Sequence, residues 1–174
     1  MSIVILEKSD VPLIPLEEAK AYLRIDHDLE DPLILTFIQV ATLWVEQATG
    51  KTLLTKTLAY SHEQTRVILP CPPVLEILEV KSKRGILEPK EYLWRRHRDT
   101  VVLETPFFWG IRTLTITYRA GFGDTPEDVP PTLRYAVLTT LAYLYENRPT
   151  PEGPGWGVPS IEPWIQYHRR VHLA

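Results

Sequence analysis

Apolar positions recur at helical spacing in two long stretches of this chain, and between them the recurrence shortens toward every second residue. The first stretch, 31–48, reads DPLILTFIQVATLWVEQA. It sets Leu33/Ile34, Phe37/Ile38, Ala41, Trp44/Val45 and Ala48 on one face, a stripe wide enough to cover a core. Its ends carry boundary chemistry. Asp31 suits an N-cap, Pro32 the first helical position, and the acids Asp28 and Glu30 favour the positive end of the helix dipole. Gly50 can adopt the left-handed conformation that closes a helix, with Lys51 beside the last carbonyls. The second stretch, 130–147, aligns Leu133, Ala136/Val137, Thr140/Leu141, Leu144 and Tyr145. Pro130 and Pro131 fall in its first turn and Pro149 stops it. A shorter helix is predicted over Leu16–Leu23, with Pro15 ahead of it and Glu17 and Glu18 in its first turn. A hinge, RIDHDLED, joins it to the central helix as an αα-hairpin, burying Ala19, Tyr22 and Leu23 against Phe37 and Val45.

The remaining pattern is extended. A short strand is predicted at 3–6. Residues 52–62 and 66–69 are enriched in threonine and in β-branched or aromatic side chains, and Pro70-Cys71-Pro72-Pro73 makes a corner that cannot be helical. Val74–Ser82 reads as a strand followed by a turn at Lys83-Arg84-Gly85. Further strands are predicted at 92–94, 100–103 and 112–118. In the last, Leu114, Ile116 and Tyr118 alternate with threonines, giving one buried and one wet face. The stretch 120–124 ends the sheet. The expected fold class is α+β: two long amphipathic helices and a short N-terminal helix packed as a bundle, a small antiparallel sheet or hairpin insertion at about 52–119, and an extended C-terminal tail. Residues 1–148 would form a single domain and 149–174 a Pro/Gly-rich arm.

Composition narrows the function. The chain has 174 residues, 44% hydrophobic and 24% charged, as in an ordinary soluble domain, and at this length about 70% of the unfolded surface can be buried. A net charge of -3 gives no general attraction to nucleic acid or anionic membrane. Cys71 stands alone, which excludes an internal disulfide and fits a reducing compartment. The opening MSIVILEKSD turns charged too soon for a signal peptide's apolar core, and no run reaches the ~20 apolar residues that span a bilayer.

Candidate chemistry is sparse. Gly50-Lys51-Thr52 imitates the end of a phosphate loop, but Val45 occupies the position that needs the first glycine, so a helix cap explains it better. Asp26-x-Asp28-x-Glu30 imitates a calcium loop, yet Asp31 replaces the required glycine and Phe37 the bidentate glutamate. Capping and dipole acids account for those residues. His27, His62, His97, His168 and His172 lack metal-ligand spacing. The pair His168/His172 shares one possible helix face but encloses Arg169 and Arg170, as a solvated basic tail would. No serine or histidine arrangement resembles a triad, so no catalytic, cofactor or metal site is expected, and the chain is not read as an enzyme. What remains are surfaces. Arg95-Arg96-His97-Arg98 follows Trp94 and is either a solvated strand or a contact with DNA or an acidic partner. Phe107-Phe108-Trp109 is either tucked under the sheet or an assembly patch. Trp156 and Trp164 raise the same question in the tail.

Three blocks together resemble the head–tail connector (adaptor, or head-completion) proteins of long-tailed phages, prophages and gene transfer agents. They are LEEAKAYLRIDHDLEDPLILTFIQVATLWVEQATGKTL (16–53), YRAGFGDTPEDVPPTLRYAVLTTLAYLYENR (118–148) and YHRRVHL (167–173). The proline-rich stretch before the third block and the Arg95–Arg98 run depart from the family pattern. The resemblance implies a structural virion protein without cofactors. Such a protein forms a ring of about a dozen copies under the portal protein, extends the DNA channel and offers a docking surface to a tail-side partner. DNA would pass without sequence-specific binding and no membrane would be involved. The protein would be assembled in the bacterial host cytoplasm and reside at the head–tail junction. Trp94, Phe107, Phe108, Trp109, Trp164, Tyr167, Arg169 and Arg170 are the interface residues this reading selects. The alternative is a nucleic-acid-binding accessory protein using the Arg95–Arg98 run.

Overall fold

The computed structural model describes residues 2–105, 113–147, 165, 166 and 168. The elements are β1 (Ser2–Lys8), α1 (Leu16–Leu23), α2 (Asp31–Thr49), β2 (Lys56–His62), β3 (Arg66–Ile68), β4 (Val74–Ser82), β5 (Gly85–Ile86), β6 (Leu93–His97), β7 (Thr100–Glu104), β8 (Leu114–Ala120) and α3 (Pro131–Glu146), with a 3-10 turn at Pro126–Asp128. They gather into two compact units. The strand unit is Met1–Ser9 with Leu54–Asp124, and the helical unit is Asp10–Leu53 with Thr125–Ala174.

The strand unit holds two antiparallel sheets, ordered β1-β2-β8-β4-β5 and β3-β7-β6. Central in the larger sheet is β8, whose period-2 pattern buries Leu114, Ile116, Tyr118 and Ala120. Register places Leu58, Tyr60 and His62 of β2 opposite Tyr118, Ile116 and Leu114, and Ile77, Val80 and Ser82 of β4 opposite the same three residues. One face therefore collects the apolar side chains. Val67, Leu69, Val101 and Leu103, from and beside the smaller sheet, complete that core. The fully buried Tyr118 donates its hydroxyl to the Pro70 carbonyl at 2.8 Å, so the proline corner is tied to the core and the phenol is satisfied.

In the helical unit α2 buries Ile34, Ile38, Ala41, Val45 and Thr49, the expected stripe. Gly50, at φ 68°, ends the helix and donates to the Glu46 carbonyl at 2.8 Å, as a left-handed cap should. The Glu46 carboxylate accepts from the Leu53 N–H at 2.9 Å. In α3, Leu133, Ala136, Val137, Leu138, Thr140, Leu141 and Leu144 are buried, and α2 and α3 pack together. Tyr22 departs from the expected hairpin core. It is 38% exposed, and its ring meets Tyr135 of α3 edge-on with centroids 6.3 Å apart.

The expected bundle with a small β insertion is overturned. Three α-helices accompany eight strands in two antiparallel sheets among the described residues, and the fold is strand-rich within the α+β class. The reason is non-local pairing. Ser2 lies opposite Ser61 and His62 opposite Leu114, so segments that look like separate short strands in sequence join into one five-stranded sheet. Periodicity reports a strand's faces but not its partner.

Gly121 fixes the exit from β8. Its φ is +141°, and a Cβ there would lie 2.7 Å from the backbone of Thr55. Gly121→Ala is therefore expected to cost about 3 kcal/mol through backbone strain and overpacking, seen as an earlier midpoint in denaturant. An unchanged midpoint would contradict the close approach.

Candidate assembly surfaces

The acidic hinge between α1 and α2 is held by the chain's own donors. Lys20, only 7% exposed, places its ammonium 2.5 Å from Asp28 Oδ1 and 3.0 Å from Asp31 Oδ1. Its stem is buried and its charge emerges at the hinge. The hydrogen bond from Lys20 lowers the Asp28 pKa below its ordinary value. The bonds to Asp28 and then Asp31 raise that of Lys20. Glu30 accepts from the Tyr145 hydroxyl, and Glu18 pairs with Arg134 at 2.7 Å. The residues that imitate a calcium loop thus serve as helix-to-helix fasteners. Among the described residues no three His, Cys, Asp or Glu side chains cluster as a metal site. No described helix is long and apolar enough to cross a membrane.

At the C-terminal side Ile165 is 1% exposed. His168 Nε2 lies 2.8 Å from Thr132 Oγ1 of α3. Burial first, and then the charge of Lys51, lowers the His168 pKa, so this histidine is neutral where an ordinary one begins to charge.

The basic run is divided by strand geometry. Trp94 and Arg96 stand opposite Leu103 and Val101, whereas Arg95 and His97 stand opposite Val102 and Thr100. Since Val101 and Leu103 point into the core, Trp94 and Arg96 share their side of the sheet, and Arg95 and His97 take the other. Arg98 sits in the following turn at φ 55°. Arg96 Nη2 donates to the Leu75 carbonyl at 2.9 Å. A single phosphate-binding stripe does not result. What results is a groove of about 220 Å³ between β4 and β6, lined by Leu75, Glu76, Ile77, Tyr92, Trp94 and Arg96 among others.

Of the interface residues selected from sequence, Trp94 is placed on β6 at 52% exposure. Phe107, Phe108, Trp109, Trp164, Tyr167, Arg169 and Arg170 lie outside the described residues. Two apolar surfaces escaped sequence reading. All of β1 is exposed, with Ile3, Val4, Ile5 and Leu6 between 44% and 54%. On α2, Leu35, Val40 and Leu43 are 40%, 37% and 52% exposed, on the side away from the buried stripe. The unbroken apolar run IVIL was the available signal for the first, since a strand wet on one face alternates.

Residues 14–71, carrying α1, α2, β2 and β3, match the family of phage gp6-like head-tail connector proteins. Over that segment the chain is similar to head–tail connector proteins. Solved structures extend the likeness to the whole fold. A chain from the neck of an empty gene transfer agent (GTA) particle, computed with C6 symmetry, superposes with a TM-score of 0.83 at 19% identity, covering 100% of this chain and 98% of that one. A chain from the virion of a native GTA particle gives 0.80 at 19% identity, with the same coverage. One from the neck of a native GTA particle, computed with C12 symmetry, gives 0.79 at 18% identity, again with that coverage. No curated protein matches the chain by sequence. The connector match begins just before α1 and takes in the acidic hinge, so the Lys20 fastener lies inside the family segment.

A depressed carboxylate pKa contributes stability that is complete above the unfolded-state value of 3.8 and is lost as pH falls through the folded value. The raised Lys20 pKa acts at the other end, its contribution present below 10.5 and lost as pH rises through the folded value. Asp28→Asn is therefore expected to lower the denaturant midpoint at pH 7, with the gap to the parent closing in acid. A gap that does not narrow as pH falls below 3.8 would show that the side chain acts through something other than its charge.

Proposed function

We propose that this chain is a structural head–tail connector that forms a ring under the portal, continues the DNA channel and presents the tail-side docking surface. The observation that carries the reading is the connector match at 14–71 inside a fold shared end to end with GTA neck and virion chains. Two of those chains belong to necks computed with C6 and C12 symmetry, which supports a closed ring in which one surface of each copy meets a different surface of the next. The outward leucines of α2, within the family segment, suit the hub of such a ring. The net charge of -3 suits a channel through which DNA slides, because dense phosphate contacts would hold it. The role is non-enzymatic, located at the head–tail junction of a virion. The C-terminal segment with Trp164, Tyr167, Arg169 and Arg170 is assigned to contact with the portal or a neighbouring copy, and Phe107, Phe108 and Trp109 to assembly.

The test is mass in solution by light scattering, for the chain alone and with its portal. A ring-sized complex in the presence of portal is expected. Arg169→Ala with Arg170→Ala should weaken it while leaving circular dichroism unchanged. Point changes are preferable to truncation at Pro159, which would also remove the buried Ile165. A monomer indifferent to portal that binds DNA in a salt-dependent way would overturn the connector reading in favour of the nucleic-acid one.

A further inference from the structure

Both edges of the five-stranded sheet are unusual, and in complementary ways. At one edge β1 pairs only with β2. Its residues Ile3 and Ile5 lie opposite Tyr60 and Leu58 on the core side, and Val4 lies opposite Ala59 on the other. Leu6 is the extra residue of a bulge. Both faces of the strand are therefore apolar, and all four side chains are about half exposed. A strand apolar on both faces has the pattern of one covered on both. An open edge of this kind invites another chain.

At the opposite edge β4 carries two bulges, whose unpaired residues are Leu75 and Leu78, 38% and 50% exposed. Beyond β4 the two-residue β5 is paired at Lys81 and Ser82, the Leu87 N–H donates to the Val80 carbonyl at 2.8 Å, and the Val74 N–H donates to the Asp99 carbonyl at 3.0 Å. Along the rest of that edge lies the groove walled by Ile77, Tyr92 and Trp94, where the Leu75 carbonyl is met by the Arg96 side chain.

We infer that β1 of one copy docks along the β4 edge of the next, setting an apolar side chain into the groove beside Trp94. The inference rests on the connector reading, which supplies the neighbouring copy. A ring needs two different, mutually complementary surfaces on each subunit, and these two lie on opposite edges of one sheet within one compact unit. Charge agrees with the pairing. Glu7, near the end of the otherwise apolar β1, is opposite in sign to Arg96, which lines the groove. So does size. Four half-exposed side chains and a groove for one or two of them fall well short of the 1,200–2,000 Å² buried by a stable interface. The contact therefore closes a ring held by other surfaces and does not make a stable dimer alone.

The experiment uses two full-length single variants, Val4→Cys and Leu75→Cys, with the parent as control for Cys71. Each is assembled on the portal, separately and as an equal mixture, and then oxidised. Disulfide-linked pairs confined to the mixture are expected, together with loss of ring closure for Ile5→Glu, whose folding is checked by circular dichroism. Rings that form without such pairs, or that link Val4→Cys to itself, overturn the edge contact while leaving the connector reading intact. Failure of the parent chain to form rings on its portal overturns both.

Discussion

The hydrogen-bonded ladders on either side of β8 are the constraint from which the strand unit follows. This strand is contributed late, after β7, yet it sits between β2 and β4 and decides the register of both. Because its side chains alternate strictly, a slip of one residue would turn Leu114, Ile116 and Tyr118 out of the core and bring Thr115, Thr117 and Arg119 in. Tyr118 adds a second restraint through the Pro70 carbonyl, and Gly121 a third through its close approach to Thr55. The bulges that disturb the ladder occur on its neighbour β4 and in β1. The ladder thus leaves β8 regular and moves irregularity outward, where surfaces are available for contact.

The helical unit relies on a different device. Its helices bury apolar stripes, but polar side chains fix their mutual positions: Lys20 to the hinge acids, Arg134 to Glu18, and Tyr145 to Glu30. Each links α1 or the hinge to α2 or α3 and so holds the helices in one arrangement. Individually such partly exposed pairs are weak. Their value is geometric, since apolar stripes alone permit rotation and sliding.

Much of this was legible in order along the chain. The limits of α1, the capping of α2 by Gly50 and the strand Val74–Ser82 all follow from local chemistry: proline before a helix, glycine after it, and alternation within a strand. A likeness to the connector family was legible too, and the family match at 14–71 covers the first of the blocks that carried it. Less legible were the surfaces. Arg95 to Arg98 look like one basic patch in sequence, yet the pleat sends Arg96 to one side and Arg95 to the other. The acids from Asp26 to Asp31 look like a ligand loop until Lys20 and Tyr145 are brought to them from other elements.

The division follows from how far each interaction reaches. Helix boundaries, strand faces and the absence of a local catalytic motif depend on residues a few positions apart, and the sequence by itself determined them. The size of the β structure and the partner of β1 depend on strands more than fifty residues apart in the chain, as Ser2 is from Ser61 and His62 from Leu114, and the groove beside Trp94 forms only where β4 and β6 meet. Only the tertiary structure decided those. Periodicity reveals which side of a strand seeks cover but carries no information about which distant segment supplies it.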